Sequence, residues 1–221
     1  MYFHQMSRIA IQWIGLFLTT LLGACSGTPV SPNASASDIG QKAIVLISVS
    51  HDQGAGNGAN AIFYLDESRY PGRVVMKSIQ DNLSIPVKSD FRDRRGHLYV
   101  LELEPGSHTI DGWQVASAGA RISAPVEPLQ FEVKRGEVLY LGNLHAKLVL
   151  GHGMLFGARS ASNAMPVVVD RHEEDIALAE ARVPAMKGQI RVALLSLGPL
   201  MPVGEASKRY DPVVIPKVPT K

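Results

Sequence analysis

The stretch Leu129-Gln-Phe-Glu-Val-Lys134 alternates strictly between apolar and polar side chains, with Leu129, Phe131 and Val133 on the apolar side. Because successive side chains of a β-strand point to opposite faces, this alternation predicts a strand with one buried and one solvated face. Arg135-Gly136 then turns the chain into a second apolar run at 138–144. Two strands around a glycine turn indicate a mainly β fold.

Similar runs recur along the chain, with turn-forming residues between them. The clearest turn is Glu104-Pro105-Gly106-Ser107, where proline fixes φ and glycine accepts a positive φ, so a hairpin is predicted there. Short strands at regular spacing are typical of an antiparallel β-sandwich, Ig-like or prealbumin-like, and a barrel is the alternative. The predicted strands are 43–49, 61–65, 73–79, 97–104, 107–115, 129–134, 138–144, 146–150, 154–156 and 188–197.

One short helix is predicted near the C-terminal end. Asp170 is placed to cap it, Glu173 is the capping-box partner, and apolar side chains recur at helical spacing until Pro184. The acidic cluster 170–175 is therefore predicted to serve the helix N-terminus, whose unpaired N–H groups favour carboxylates. The alternative is a metal site or an acid–base pair that includes His172 and Glu173.

The N-terminal segment differs from the rest of the chain. Residues 9–22 are mostly apolar, but the run is shorter than the roughly 20 residues that a helix needs to cross a bilayer. The small residues Gly23 and Ala24 precede Cys25, the only cysteine among 221 residues. The run Leu22-Gly23-Ala24-Cys25 resembles the lipobox of bacterial lipoprotein precursors, which implies a lipid on the Cys25 sulfur. An ordinary secretory signal and an uncleaved membrane anchor are the alternatives.

This resemblance divides the chain into four predicted parts. They are a signal peptide at 1–24, a lipidated cysteine with a flexible tether at 25–40, a β-sandwich domain at 41–198, and a Pro-rich tail at 199–221. The tether is predicted because residues 26–40 are rich in Ser, Ala, Pro and Asn and hold almost no core-forming side chains. Ser26 follows the cysteine where an Asp would favour the inner membrane, so the resemblance implies the outer membrane and its periplasmic face.

A second resemblance concerns the region after the signal peptide. The segment Phe131-Glu-Val-Lys-Arg-Gly-Glu-Val-Leu-Tyr-Leu-Gly142, preceded by Leu103-Glu-Pro-Gly106, is similar to segments of uncharacterised proteobacterial lipoproteins with a β-sandwich domain. The region from Asp170 to Leu195 fits the same family. These motifs consist of turn and core residues, so the resemblance implies a fold and carries no activity with it.

The charge of the chain argues against a nucleic-acid partner. The full sequence holds 22 basic and 20 acidic residues. Removal of residues 1–24 removes one charged residue, Arg8. This leaves 21 basic residues against the same 20 acidic residues, a net charge of +1. A nearly neutral chain without a basic stripe lacks the electrostatic footprint of nucleic-acid binding.

The candidate binding surface is the loop Asp90-Phe-Arg-Asp-Arg-Arg-Gly96. Guanidinium groups suit phosphate and carboxylate, so Arg92, Arg94 and Arg95 are candidates for docking an anionic glycan or a lipid headgroup. A solvated loop with local ion pairs is the alternative.

No catalytic residue, metal ligand or cofactor is predicted. His145 and His152 flank a predicted strand, but their separation of seven puts them on opposite faces of a regular strand, unless a bend or bulge near Gly151 intervenes. No third ligand of clear spacing completes a site. His51, His97 and His108 are placed at strand ends, where hydrogen-bonded or solvated histidines are ordinary. Gly54-Ala-Gly-Asn-Gly58 lacks the Lys of a phosphate-binding loop.

These observations favour a non-catalytic envelope protein, anchored to the membrane by the lipid on Cys25. Its β-sandwich is expected to bind an envelope partner, either protein or glycan. A periplasmic hydrolase or metal-dependent enzyme with an unrecognised site is the alternative. A subunit of a larger secretion or envelope machine is a third possibility.

Overall fold

The computed structural model describes residues 27–53, 58–66, 73–82, 85–86, 88–117, 120–152 and 159–203. The described chain is mainly β, as predicted. Its strands are β1 (Thr28–Pro29), β2 (Ala43–Asp52), β3 (Ala59–Leu65), β4 (Val74–Lys77), β5 (Asp81–Asn82), β6 (Ile85–Pro86), β7 (Arg94–Leu103), β8 (Gly106–Ser117), β9 (Ala120–Ile122), β10 (Leu129–Val133), β11 (Val138–His152), β12 (Arg159–Val169), β13 (Ile190–Val192) and β14 (Gly198–Pro199). Its helices are α1 (Ala36–Ile39), α2 (His172–Arg182) and a 3-10 turn (Pro184–Met186).

The larger sheet is mixed. Its strands follow the order β1-β7-β2-β11-β12-β14, and β13 pairs with β11 beyond the end of β12. The central pair β2 and β11 is parallel, as is the pair β11 and β13, whereas the remaining pairs of this sheet are antiparallel. The prediction of a purely antiparallel fold is therefore wrong, because alternation identifies a strand without identifying its neighbour.

The smaller sheet has the order β10-β8-β3-β4, and β9 also pairs with β8. The predicted hairpin at Glu104-Pro105-Gly106-Ser107 is wrong in its pairing. Strand β7 before this turn belongs to the larger sheet, and β8 after it belongs to the smaller one. Gly106, with φ of +142°, thus lies where the chain crosses between sheets. Strands β10 and β11, on either side of Arg135-Gly136, are divided between the sheets in the same way.

Strand β2 is buried on both of its faces. Val45 and Ile47 belong to a cluster shared with Phe63 of the smaller sheet, so side chains of the two sheets form one core. Ile44 and Leu46 point the other way and pack in a second cluster that includes residues of both helices, such as Ile39 of α1 and Ala179 of α2. The helical layer, the larger sheet and the smaller sheet therefore lie in that order, which explains why the run 43–49 is apolar throughout.

The segment predicted as a flexible tether is structured from residue 28 onward. Strand β1 pairs with the edge of β7, and Val30 and Ile39 are buried. Helix α1, in which Ser35 and Asp38 form a capping box, adds a second helix to the one predicted. Two apolar side chains and one cap suffice to dock this short segment, although its composition resembles that of a linker.

The predicted tail also begins inside the fold. Strand β14 pairs with β12, Leu200 is buried, and Val126 forms an isolated bridge with Pro202. Residues 204–221 and the predicted signal peptide with Cys25 lie outside the described residues. Within the described part, none of the helices has the length and apolar character needed to cross a membrane.

Candidate functional site

Polar side chains form a continuous buried network between helix α2 and the larger sheet. Its centre is Asp175, which is fully buried although it lies in the first turn of α2. One oxygen, Oδ2, accepts hydrogen bonds from Ser48 Oγ at 2.5 Å and from the Tyr140 hydroxyl at 2.8 Å. Burial raises the pKa of Asp175, and these hydrogen bonds oppose the rise.

Arg94 supplies the positive charge of this network. Its Nη2 lies 3.5 Å from Asp175 Oδ1, and its Nη1 contacts Glu174 at 2.8 Å and Asp93 at 2.7 Å. The guanidinium also lies over the ring of Phe91, 3.8 Å from the ring centroid. Arg94 is only 2% exposed, so the prediction that it belongs to a binding surface is wrong. Its attraction to the buried carboxylate of Asp175 and to the more exposed carboxylates of Glu174 and Asp93 accounts for its position.

The other two arginines of the predicted surface are more exposed than Arg94. Arg92 is exposed and Arg95 is half-buried. On β7, Arg95 is the register partner of His51. The structure therefore does not bring Arg92, Arg94 and Arg95 together as one anionic-ligand site.

Helix α2 begins later than the acidic cluster predicts. The first helical residue is His172, and Arg171 occupies the N-cap position without a capping side chain. Asp170 instead accepts a hydrogen bond from the His172 backbone N–H at 3.0 Å and contacts its imidazole at 2.9 Å. The predicted capping box of Asp170 with Glu173 is therefore wrong, and Asp175 serves the buried network.

The network continues along the larger sheet. Asn143 Nδ2 donates to Ser48 Oγ at 2.7 Å, and Asn143 Oδ1 accepts from Ser50 Oγ at 2.9 Å. His145 Nδ1 lies 2.9 Å from Ser50 Oγ, and its Nε2 lies 3.0 Å from Asp52 Oδ1. A chain of polar contacts thus links Asp175 to Asp52, whose side chain is 47% exposed.

Ser50, His145 and Asp52 have the composition of a catalytic triad, but the hydroxyl of Ser50 donates to the side-chain oxygen of Asn143. A nucleophilic serine donates its proton to the imidazole instead. Ser50 is also fully buried, so a substrate has no access to its oxygen. Burial lowers the pKa of His145, although the hydrogen bond to Asp52 opposes this. This arrangement is suited to fixing α2 on the sheet.

Three further histidines are buried. His51 Nδ1 contacts Ser78 Oγ at 2.8 Å, His97 Nδ1 lies 3.4 Å from Asp90, and His108 Nδ1 lies 2.6 Å from Asp66. Burial, followed by the charges of His145 and Arg95, lowers the pKa of His51 to about 4. Among the described residues, no group of three or more His, Cys, Asp or Glu side chains is placed to hold a metal ion. The side chain of His152 and most of the loop 54–58 lie outside the description.

An apolar groove of about 600 Å³ lies on the side of the fold where β12 and β14 meet the segment before β10. None of the described residues that line it is charged. Met165, on its wall, is 44% exposed. The lining residues are Trp113, Ala124, Pro125, Val126, Ala164, Met165, Pro166, Pro199, Leu200, Met201 and Pro202.

Trp113, in the groove wall, has one polar group in its side chain, the indole N–H. Its side chain is 6% exposed, and its indole nitrogen is screened from solvent without a hydrogen-bond partner. A buried donor that lacks an acceptor is destabilising by about 1–3 kcal/mol. Sequence reasoning missed this groove, because Trp113, Met165 and 199–202 are far apart in the chain. The cluster of prolines near the C-terminus was its only signal.

Models of known protein families, curated proteins and solved structures gave no match to this chain. The groove and the buried network are therefore interpreted from their own chemistry.

Proposed function

We propose that this chain is a lipid-anchored envelope protein that binds a partner without catalysing a reaction. In this proposal Cys25 carries the lipid, the outer membrane is the location, and the domain faces the periplasm. The run Leu22-Gly23-Ala24-Cys25 supports the anchor. The core shared by the two sheets supports a β-sandwich, which would be the rigid body of the binding module.

The observation that carries the binding function is the apolar groove. A largely uncharged cleft of about 600 Å³ has the size and lining of a ligand or peptide site. Such a lining favours a protein partner over a glycan, because sugars need several hydrogen-bonding groups and the described lining is mainly apolar. The proposed partner is therefore an envelope protein that presents an apolar segment.

A charge placed in the groove tests this binding function. Met165→Arg introduces a charge at the wall, and Val75→Arg is the matched control, since Val75 is 38% exposed and lies on β4. Tagged chains are crosslinked in intact cells and captured. A partner that is lost with Met165→Arg and retained with Val75→Arg supports the proposal. A partner that both variants retain equally contradicts it.

The anchor is tested separately. Cys25→Ser removes the only sulfur that can carry the lipid. We expect the wild-type chain to partition into detergent and to carry acyl groups at its N-terminus by mass spectrometry. The Ser variant should lose both properties. A wild-type chain without acyl mass would exclude the lipoprotein assignment while leaving the groove untouched.

The alternative is a periplasmic hydrolase or a metal-dependent enzyme. The contacts of Ser50, His145 and Asp52 are the observation that favours it. Ser50→Ala should leave any esterase or peptidase activity of the purified chain unchanged if the network is structural. A hydrolytic activity that Ser50→Ala abolishes, in a variant that unfolds at the same urea concentration as wild type, would favour the enzyme.

A further inference from the structure

The apolar groove lies where the described chain ends. Residues 199–202 form part of its wall, and the next residue, Val203, is 60% exposed. The sequence continues for 18 residues after Val203, to Lys221. An extended chain covers about 3.3–3.6 Å per residue, so the eight residues 204–211 reach far enough to leave the groove and return to it.

The continuing sequence has the composition of a groove ligand. Pro212-Val-Val-Ile-Pro-Lys-Val-Pro219 contains a Pro-x-x-Pro motif at Pro216 and Pro219. Such sequences favour the polyproline II conformation, which repeats every three residues. At that period two of the three sides are wholly apolar, and the third carries the only charge. The sides are Val213/Pro216/Pro219, Pro212/Ile215/Val218 and Val214/Lys217/Thr220.

The groove has the complementary chemistry. Proline-rich segments dock in aromatic-lined grooves, and here Trp113 provides the aromatic wall while four prolines and two methionines provide apolar surface. A proline-rich segment can therefore cover this apolar wall.

We propose that residues 212–219 of this chain dock in the apolar groove with the side that holds Val214 and Lys217 facing solvent. The tail then acts as an internal ligand of its own domain. This inference concerns the isolated protein and does not rest on the proposed function. If the groove also binds an envelope partner, that partner has to displace the tail.

A matched pair of substitutions tests the docking in the chain 26–221. Ile215→Asp places a charge on an apolar side of the segment, and Val214→Asp places the same charge on the proposed solvent side. Trp113 is the only tryptophan of residues 26–221, so its indole N–H gives a single NMR signal. Selective labelling of methionine methyl groups, with Met165→Leu for assignment, gives a second reporter in the groove.

We expect Ile215→Asp to move both the Trp113 indole signal and the Met165 methyl signal, and Val214→Asp to leave both in place. A synthetic peptide of residues 210–221, added to the Ile215→Asp chain, should return both signals to their wild-type positions in a saturable manner. The proposal is overturned if the two variants give identical spectra at these positions. It is also overturned if wild type is a dimer by sedimentation and Ile215→Asp a monomer, because the tail would then occupy a second copy.

Discussion

The hydroxyl of Tyr140 on β11 donates to the carboxylate of Asp175 on α2 across 2.8 Å, in the buried layer between helix and sheet. The same carboxylate oxygen accepts from Ser48 of β2. One buried acid therefore joins the helix to both central strands of the larger sheet. The arrangement stabilises the fold only while its donors are all present, since a buried carboxylate that loses them is strongly destabilising.

Removing members of this contact should lower the free energy of unfolding in graded steps. Tyr140→Phe deletes one hydroxyl and should cost about 1–3 kcal/mol. Asp175→Ala leaves Arg94 buried without its deepest carboxylate and should cost about 3–5 kcal/mol. Glu173→Ala, on the exposed face of the same helix, should change stability by less than about 0.5 kcal/mol. Urea titrations followed by circular dichroism measure all three, and equal losses for Asp175→Ala and Glu173→Ala would refute a structural role for the network.

The arginines of the loop 90–96 should separate into two classes. Arg94→Ala removes a buried charge that pairs with Glu174 and Asp175, so it should lower the free energy of unfolding by about 3–5 kcal/mol. Arg92 is exposed, and Arg92→Ala should be nearly neutral, within about 0.5 kcal/mol. Thermal denaturation of both variants gives the comparison. Similar melting temperatures would mean that Arg94 is not paired as described.

Stability should fall when the pH is lowered from 7 to 4. The pKa of His51 is about 4 in the folded protein, against 6.5 as its ordinary value. Between these values the unfolded chain binds more protons than the folded chain, so the free energy of unfolding decreases as the pH falls, by about 2–3 kcal/mol for this residue. His145, whose pKa is also lowered, acts in the same direction.

The substitution His51→Gln isolates this contribution. Urea titrations at pH 7 and pH 4.5 should show a smaller difference in the variant than in wild type, because Gln does not titrate. An unchanged pH dependence in His51→Gln would show that His51 is not the group responsible.

Two glycines should respond in opposite ways to alanine. A Cβ at Gly96 would overlap the backbone carbonyl of Val49 and lie 2.6 Å from Ser50 Cβ, so Gly96→Ala forces β2 and β7 apart. Gly40 has helical φ and ψ, and its nearest atom, the Ala36 carbonyl oxygen, is 3.6 Å from the added Cβ. Gly40→Ala should be neutral or stabilising by up to about 1 kcal/mol. Differential scanning calorimetry should show a large loss in melting temperature for Gly96→Ala alone.

The segment before β2 should behave as part of the domain. Ile39 is fully buried, so Ile39→Ala should lower the free energy of unfolding by about 2–5 kcal/mol. Asn33→Ala, at an exposed position of the same segment, is the control. If both substitutions prove neutral, the segment is a tether after all and its packing contributes nothing to stability.

Several strands and the main helix could be predicted from local pattern, but strand β12 (Arg159–Val169) was missed, and the neighbours of the strands could not be predicted. Leu129–Val133 alternates and forms β10 as predicted. Nothing in the sequence of 138–150 indicates that the pairing of β11 with β2 shifts its register between Tyr140 and Gly142. Gly142 has a φ of +119° there. That shift brings Asn143 and His145 to the helix side, the side of Tyr140. Side-chain direction beyond a bulge depends on the partner strand, which a single strand's sequence does not encode.

One feature of the sequence does indicate the buried network. Ser48 and Ser50 alternate with apolar residues inside an otherwise apolar strand, so they share one face. Polar residues at such positions need partners, and those partners lie about 95 residues away at Asn143 and His145. The apolar groove had a weaker signal, since its walls combine the middle of β8 with residues 199–202 near the predicted tail.

The most direct test of the central claim is site-specific photocrosslinking from the groove in living cells. A photoreactive residue replaces Met165, or Val75 as the control, in chains that carry Ile215→Asp so that the tail does not compete. The account predicts one crosslinked envelope protein from position 165, absent from position 75 and lost when Cys25→Ser releases the chain from the membrane. Identical crosslinks from both positions, or none from position 165, would contradict a groove-mediated binding function.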